Sequence, residues 1–191
     1  MKFELPWNQC GVISELTKKL STTSPQFGKT VLQKMVFLLQ EVHHVDLGYS
    51  FNFYTYGPFA AELLGDLDFA QRVGAVEVLA VGLEVGHGYK IIPGKKVDEI
   101  LQRTCSFLKE NMSGIDAVVD SFGKKTAKEL ELLTTIVYLN KEVTSNEMTM
   151  TESDAVLKIR ELKPKYSDNE VKQGLHELVT IHRLNLGFLK D

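Results

Sequence analysis

The stretch from Lys29 to His43 constrains the fold more than any other part of the chain. Its apolar residues recur at helical spacing but cover most of the helical circumference, which is typical of a helix buried at the centre of a domain. Only a narrow polar strip remains. The apolar set is Val31, Leu32, Met35, Val36, Leu38, Leu39 and Val42, and the polar strip is Lys29, Gln33, Lys34, Gln40 and Glu41.

Phe37 falls within the polar strip of this central helix by its angular position. Two interpretations are open for its ring. Either the aromatic strand that follows or a later helix covers it, or the ring is an exposed anchor for a partner protein. The second interpretation makes Phe37 a candidate protein-binding residue.

An aromatic run at 51–56 alternates in the manner of a β-strand, and we expect one there. We expect its aromatic side chains, Phe53 and Tyr56 among them, to be core residues packed against the central helix. Gly57 and Pro58 then predict a sharp corner that opens a helix over 59–73. Glycine tolerates unusual backbone angles, and proline suits the first turn of a helix.

The segments GKTVLQKMVFLLQE and FNFYTYGPFAAELLGDL resemble the YwgA-type proteins of bacteria and archaea. They are more distantly similar to the antitoxin-associated SocA-like (Panacea) domain. The resemblance is strongest over 28–70, and it implies a winged-helix-like fold without implying any catalytic residues. The residues that carry it are Leu32, Gln33, Lys34, Tyr56, Gly57, Pro58, Glu62 and Leu63.

Composition is that of an ordinary globular protein. The 191 residues are 43% hydrophobic and 25% charged, and 22 basic residues nearly balance 25 acidic ones. This balance excludes a strong basic field over the whole protein. No apolar run approaches the roughly 20 residues that a membrane span needs, and the N-terminus lacks the pattern of a secretory signal. We therefore expect a cytoplasmic protein.

The rest of the N-terminal half predicts further helices and one β-hairpin. Two apolar runs flank a glycine-rich stretch at 82–88, which predicts two strands joined by a turn. Helices followed by such a hairpin have the order of a winged-helix domain. The predicted elements are helices over 9–20, 96–111 and 115–122 and strands over 75–81 and 89–92.

The C-terminal half predicts three helices. The first begins with a capping-box pattern at Thr126 and is followed by a polar loop at 143–151. The second covers 152–162 and is ended by Pro164. A second capping-box pattern at 167–170 opens the third helix. Its predicted inward residues are Val171, Leu175, Leu178 and Val179.

We therefore predict a mostly α fold with a small β-hairpin, in which winged-helix or helix-turn-helix-like units are packed with connecting helices. Residues 1–94 are predicted as an N-terminal winged-helix-like unit, 95–125 as a helical connector and 126–191 as a C-terminal helix-turn-helix-like unit. The apolar pattern around Leu32 aligns with that around Leu133. Either an internal duplication or chance similarity between two amphipathic helices explains this alignment.

No residue pattern supports catalysis or a cofactor. The five histidines lack metal-binding spacing, and Cys10 and Cys105 each lie in an apolar helical pattern. The GKT tripeptide at 28–30 lacks the upstream glycine and the preceding strand of a phosphate-binding loop. We expect no enzymatic activity, no cofactor and no metal.

Two sets of residues are candidates for binding. The helix after the Gly57-Pro58 corner is acidic, so it would meet DNA phosphates unfavourably and suits a protein partner better. A basic cluster in the C-terminal half is the candidate nucleic-acid contact, although the same pattern fits a solvated surface. The candidates are Lys158, Arg160, Lys163, Lys165 and Lys172 for nucleic acid, and Phe37, Glu62 and Asp66 for a protein.

The leading hypothesis from the sequence is a winged-helix-like, DNA-binding transcriptional regulator. The alternative is a protein-binding adaptor or antitoxin-like module that does not bind DNA. The expected partners are thus DNA or a protein and not a membrane, and a homodimer is compatible with both hypotheses. An enzyme is a third hypothesis, but no constellation of residues favours it.

Overall fold

The structure is a computed structural model that describes residues 5–82, 87–181 and 184–187. It is mostly helical with two small antiparallel hairpins, which confirms the predicted mostly α class with a small β component. None of the described helices is long and apolar enough to cross a membrane. The helices are α1 (Trp7–Leu20), α2 (Lys29–His43), α3 (Ala61–Arg72), α4 (Val97–Arg103), α5 (Cys105–Phe122), α6 (Ala127–Ser145), α7 (Glu152–Leu162) and α8 (Asp168–His176), and the strands are β1 (Asn52–Tyr54), β2 (Gly57–Phe59), β3 (Val76–Gly82) and β4 (His87–Pro93).

The chain divides into two compact units, and the break between Ala127 and Lys128 lies within two residues of the predicted start of the C-terminal unit. The first unit comprises the described parts of Met1–Asn52 and Phe59–Ala127, and the second comprises Phe53–Pro58 and the described parts of Lys128–Asp191. The predicted connector at 95–125 lies inside the first unit, where α5 packs against α1 and α2 and α4 packs against α1. These helices bury apolar faces on the core, so they are not a spacer.

Helix α2 is the central helix of the first unit, with the predicted bounds. Every residue from Val31 to Leu39 is buried, because other elements cover both its apolar set and much of its polar strip. Its last turn ends at His44, which adopts the left-handed conformation with φ of 55°. A bond from the His44 N–H to the Leu39 carbonyl closes the end of the helix.

Phe37 is fully buried, so it is not an exposed anchor for a partner. Its ring meets the Phe51 ring edge-to-face, with centroids 5.1 Å apart. This is the geometry that aromatic pairs prefer, since the positive edge of one ring faces the negative face of the other. The interpretation in which the following aromatic segment covers Phe37 is therefore confirmed.

The Gly57-Pro58 corner forms a hairpin and not the start of a helix. Strand β2 covers Gly57–Phe59 and pairs with β1, and α3 begins only at Ala61. Gly57 has φ of 87°, a backbone conformation that glycine adopts without strain. The chain thus turns back at Thr55 and Tyr56, so part of the aromatic run lies in a turn instead of in a long strand.

The second hairpin pairs β3 with β4 in register from Val76 opposite Pro93 to Gly82 opposite His87. The predicted turn at 82–88 lies partly outside the described residues. After this hairpin, the helix predicted over 96–111 is divided at Thr104, which separates α4 from α5. The Thr104 side chain is buried against α1 at Gly11, where any Cβ would collide with its hydroxyl.

The second unit contains α6, α7 and α8, and α8 continues as a π-helical turn at Glu177–Ile181. Helix α7 has the predicted bounds, and α6 extends to Ser145, into the predicted loop. The predicted capping box at Ser167 is present, since its hydroxyl accepts from the Glu170 N–H and Glu170 accepts from the Ser167 N–H. Of the four predicted inward residues, Val171, Leu175 and Leu178 are buried but Val179 is exposed.

Candidate interaction surface

Lys163, the third residue of the predicted basic cluster, is buried in the second unit. Its side chain is only 5% exposed, and its Nζ lies 2.9 Å from Oε1 of the equally buried Glu131 on α6. The same Nζ donates a hydrogen bond to the Thr55 carbonyl and lies 5.1 Å from the centre of the Phe53 ring. Lys163 is therefore a structural residue that cannot contact a nucleic acid from this position.

Lys165 shares the Glu131 carboxylate, donating to Oε2 at 2.7 Å. Burial raises the pKa of Glu131, but hydrogen bonds and charges from Lys165 and Lys163 outweigh it and hold that pKa below its usual range. Glu131 is thus ionised at neutral pH although it is buried. A buried carboxylate in this state is stable only because its charge is compensated within the protein.

Two exposed members of the basic cluster, Lys158 and Arg160, also have acidic neighbours. Lys158 Nζ lies 3.0 Å from Glu161, and Arg160 lies 2.6 Å from Asp168. Lys172 is exposed on α8. The structure therefore brings the predicted cluster close to three carboxylates, which reduces the positive potential that DNA binding would need.

The predicted protein-binding residues do not form one exposed surface. Glu62 is exposed on α3, and Asp66 is half-buried and accepts a 2.8 Å hydrogen bond from the Tyr49 hydroxyl. Burial raises the pKa of Asp66 above its usual value. The hydrogen bond from Tyr49 lowers that pKa, but the charge of nearby Glu62 raises it further. Phe37 contributes nothing to the surface, since it is in the core.

Two tyrosines are exposed on the segment Phe53–Pro58, which we call the tyrosine loop. Tyr54 is 60% exposed and Tyr56 is 65% exposed, so Tyr56 is not the core residue that the sequence suggested. Phe53 instead points inward, where its ring packs against Tyr138 with centroids 5.3 Å apart. The loop therefore carries two exposed tyrosines after an anchored phenylalanine.

The sequence predicted a strand with a period of two over the whole aromatic run, but only Asn52–Tyr54 is a strand, and Thr55 and Tyr56 form the turn. The ring of Phe53 packs against Tyr138, whereas Thr55 is exposed and is held only through its backbone carbonyl, which accepts from Lys163. Sequence analysis did not predict that Tyr54 and Tyr56 are exposed, because hydrophobic patterning alone treats every aromatic residue as a candidate for the core.

Cys10 is a buried free cysteine on α1. Burial raises the pKa of the Cys10 thiol to about 11, so this thiol is protonated and unreactive at neutral pH. The described part of the chain contains no cluster of three or more His, Cys, Asp or Glu side chains that could hold a metal ion. In the GKT tripeptide, Lys29 lies 4.0 Å from the centre of the Tyr89 ring.

Comparison with models of known protein families finds no match to this chain. Comparison with curated proteins also finds no match.

Proposed function

We propose that this protein is a non-enzymatic adaptor that binds another protein through its tyrosine loop. The observation that carries the proposal is the joint exposure of Tyr54 and Tyr56 on a loop whose intervening residue is bonded to a buried lysine. Tyrosine is enriched in protein interfaces, where its ring supplies apolar contact and its hydroxyl supplies a hydrogen bond.

The anchoring of the loop supports an interface role. Lys163 bonds to the Thr55 carbonyl, and Phe53 is packed against Tyr138, so the backbone between the two tyrosines has little freedom to lose. Ordering a flexible loop on association opposes binding, and a preformed loop avoids that loss. The two rings can therefore contribute most of their contact energy to affinity.

A protein partner is favoured over DNA by the charges of the second unit. Binding to phosphates gains its free energy from cations that replace counterions. Lys158 and Arg160 already contact carboxylates, and Lys163 is buried. The distant likeness to the SocA-like antitoxin-associated domain points in the same direction. A cytoplasmic location and a homodimer stay predictions.

The test is affinity capture from a nuclease-treated lysate of the native host. The full chain and a Tyr54→Ala, Tyr56→Ala double variant are compared, with Tyr89→Ala as the matched control because Tyr89 is an exposed tyrosine on the other hairpin. We expect a stoichiometric protein with the wild type and the control, and a loss of about tenfold or more with the double variant. Equal capture by all three proteins contradicts the proposal.

A DNA-binding regulator is tested in parallel with a pool of duplex DNA at low and moderate salt. On our proposal, binding is weak and similar in wild type and in a Lys158→Glu, Lys172→Glu variant. Tight, steeply salt-dependent binding that this variant abolishes would instead favour the regulator. Lys163 is left unchanged because its replacement would disturb the core.

A further inference from the structure

Two glutamines of α2 bind backbone in the same unusual way. The Gln33 carboxamide donates to the Ala60 carbonyl at 2.8 Å and accepts from the Ala60 N–H at 3.0 Å. The Gln40 carboxamide donates to the Tyr49 carbonyl at 2.8 Å and accepts from the Tyr49 N–H at 3.1 Å. Each side chain thus pairs with both polar groups of one residue, as a neighbouring β-strand would.

The spacing of Gln33 and Gln40 determines where their side chains lie on α2. Gln33 and Gln40 are seven residues apart, which is about two helical turns, so both lie on the same side of α2. Their separation along the helix is about 10 Å. The residues that they hold, Tyr49 and Ala60, bracket the segment that contains the tyrosine loop. One rigid helix therefore holds both ends of this segment.

These bonds are not easily exchanged for bonds to water. Gln33 is 3% exposed and both of its hydrogen bonds are buried, so losing them would leave the Ala60 N–H and carbonyl without these partners. A buried polar group that loses its partner incurs its full desolvation penalty. Gln40 is half-buried, and its bonds to Tyr49 are partly shielded.

We propose that Gln33 and Gln40 are positioning residues of the tyrosine loop. By holding Tyr49 and Ala60, they restrict the conformations open to the intervening segment before any partner arrives. The functional consequence rests on the proposed function, because a restricted loop matters for affinity only if the loop binds something. The restriction itself follows from the four hydrogen bonds.

Amide hydrogen exchange of the full chain tests this inference without a partner. Gln33→Met and Gln40→Met keep the length of the side chain but remove the carboxamide. Exposed Gln71→Met on α3 is the matched control. We expect amide exchange over 49–60 to become faster by about tenfold in both variants, as the loss of one or two hydrogen bonds implies. Exchange in α1 and α5 and throughout the control should stay as in wild type.

Two results would overturn the inference. One is unchanged exchange over 49–60, and the other is a uniform increase across the first unit, which would mean that the glutamines only stabilise the fold. If Gln33→Met does not fold, amide exchange over 49–60 is measured in Gln40→Glu as well as in Gln40→Met. Its carboxylate can accept from the Tyr49 N–H but cannot donate to the carbonyl, so it should accelerate exchange less than Gln40→Met does.

The outcome is independent of the capture experiment. Locally faster exchange together with partner capture that does not depend on Tyr54 and Tyr56 would support the positioning role and contradict the adaptor surface. Unchanged exchange over 49–60 together with partner capture that depends on Tyr54 and Tyr56 would contradict the positioning role and support the adaptor surface.

Discussion

The second unit contains two kinds of ion pair within a few residues of each other. Lys163 and Glu131 are each 5% exposed, whereas the side chains of Lys158 and Glu161 are both more than half exposed. The distances are nearly the same, 2.9 Å and 3.0 Å. Burial is therefore what separates a structural charge from a solvated one, since water screens the exposed pair and leaves the buried pair unscreened.

The buried pair, unlike the exposed pair, also anchors the tyrosine loop. Lys163 reaches the backbone of the tyrosine loop at Thr55, so the charge that Glu131 neutralises is the charge that anchors the loop. Changes to the buried pair should therefore lower stability more than changes to the exposed pair.

Lys163→Ala should have the largest effect. It leaves the buried Glu131 carboxylate with Lys165 alone and removes the bond to the Thr55 carbonyl. Removing one partner of a buried ion pair typically lowers the free energy of unfolding by about 3–5 kcal/mol. Urea denaturation measures this change. Lys165→Ala is the control, because it removes the more exposed of the two cations, and an equal effect from both would contradict the comparison.

The acid dependence of stability should be the next largest effect. The folded pKa of Glu131 lies below its ordinary value, so the unfolded chain takes up this proton at a higher pH than the folded protein. The contribution of Glu131 is complete above the unfolded pKa and is lost as the pH falls through the folded pKa. Urea titrations at several acidic pH values should show a shallower acid slope in Glu131→Gln. An acid slope in Glu131→Gln equal to that of wild type would contradict this prediction.

Lys158→Ala should have the smallest effect. An exposed lysine–carboxylate pair contributes about 0–1 kcal/mol, and salt screens it further. Thermal unfolding at low and high salt is the measurement, and we expect wild-type behaviour at high salt. A loss as large as that of Lys163→Ala would show that exposure does not distinguish the two pairs.

Local patterns predicted a good part of this fold. The bounds of α2 and α7 and the capping box at Ser167 follow from residues within a few positions of each other. Helical periodicity and capping are properties of the local backbone, so they can be read from the chain directly. The hairpin at Gly57 was missed because a Gly-Pro pair suits either a helix start or a turn, and pairing with β1 decided between them.

The candidate site was less accessible to sequence reasoning, because it depends on distant partners. Lys163 belongs to a run of surface-like lysines, but Glu131 and Thr55 place it in the interior. Phe37 has the angular position of an exposed residue, but Phe51 covers it. In both cases, side chains from elsewhere in the chain determine the exposure.

By itself, the sequence determined the helical class, the buried character of α2 and the helix ends that short-range caps define. Only the tertiary structure decided which charges are buried and which aromatic residues are displayed. Lys163 and Thr55 are 108 residues apart in the chain, and no local pattern specifies that they meet. Burial depends on which distant surfaces a folded chain brings together, and it is burial that turns one lysine into an anchor and leaves two tyrosines in solvent.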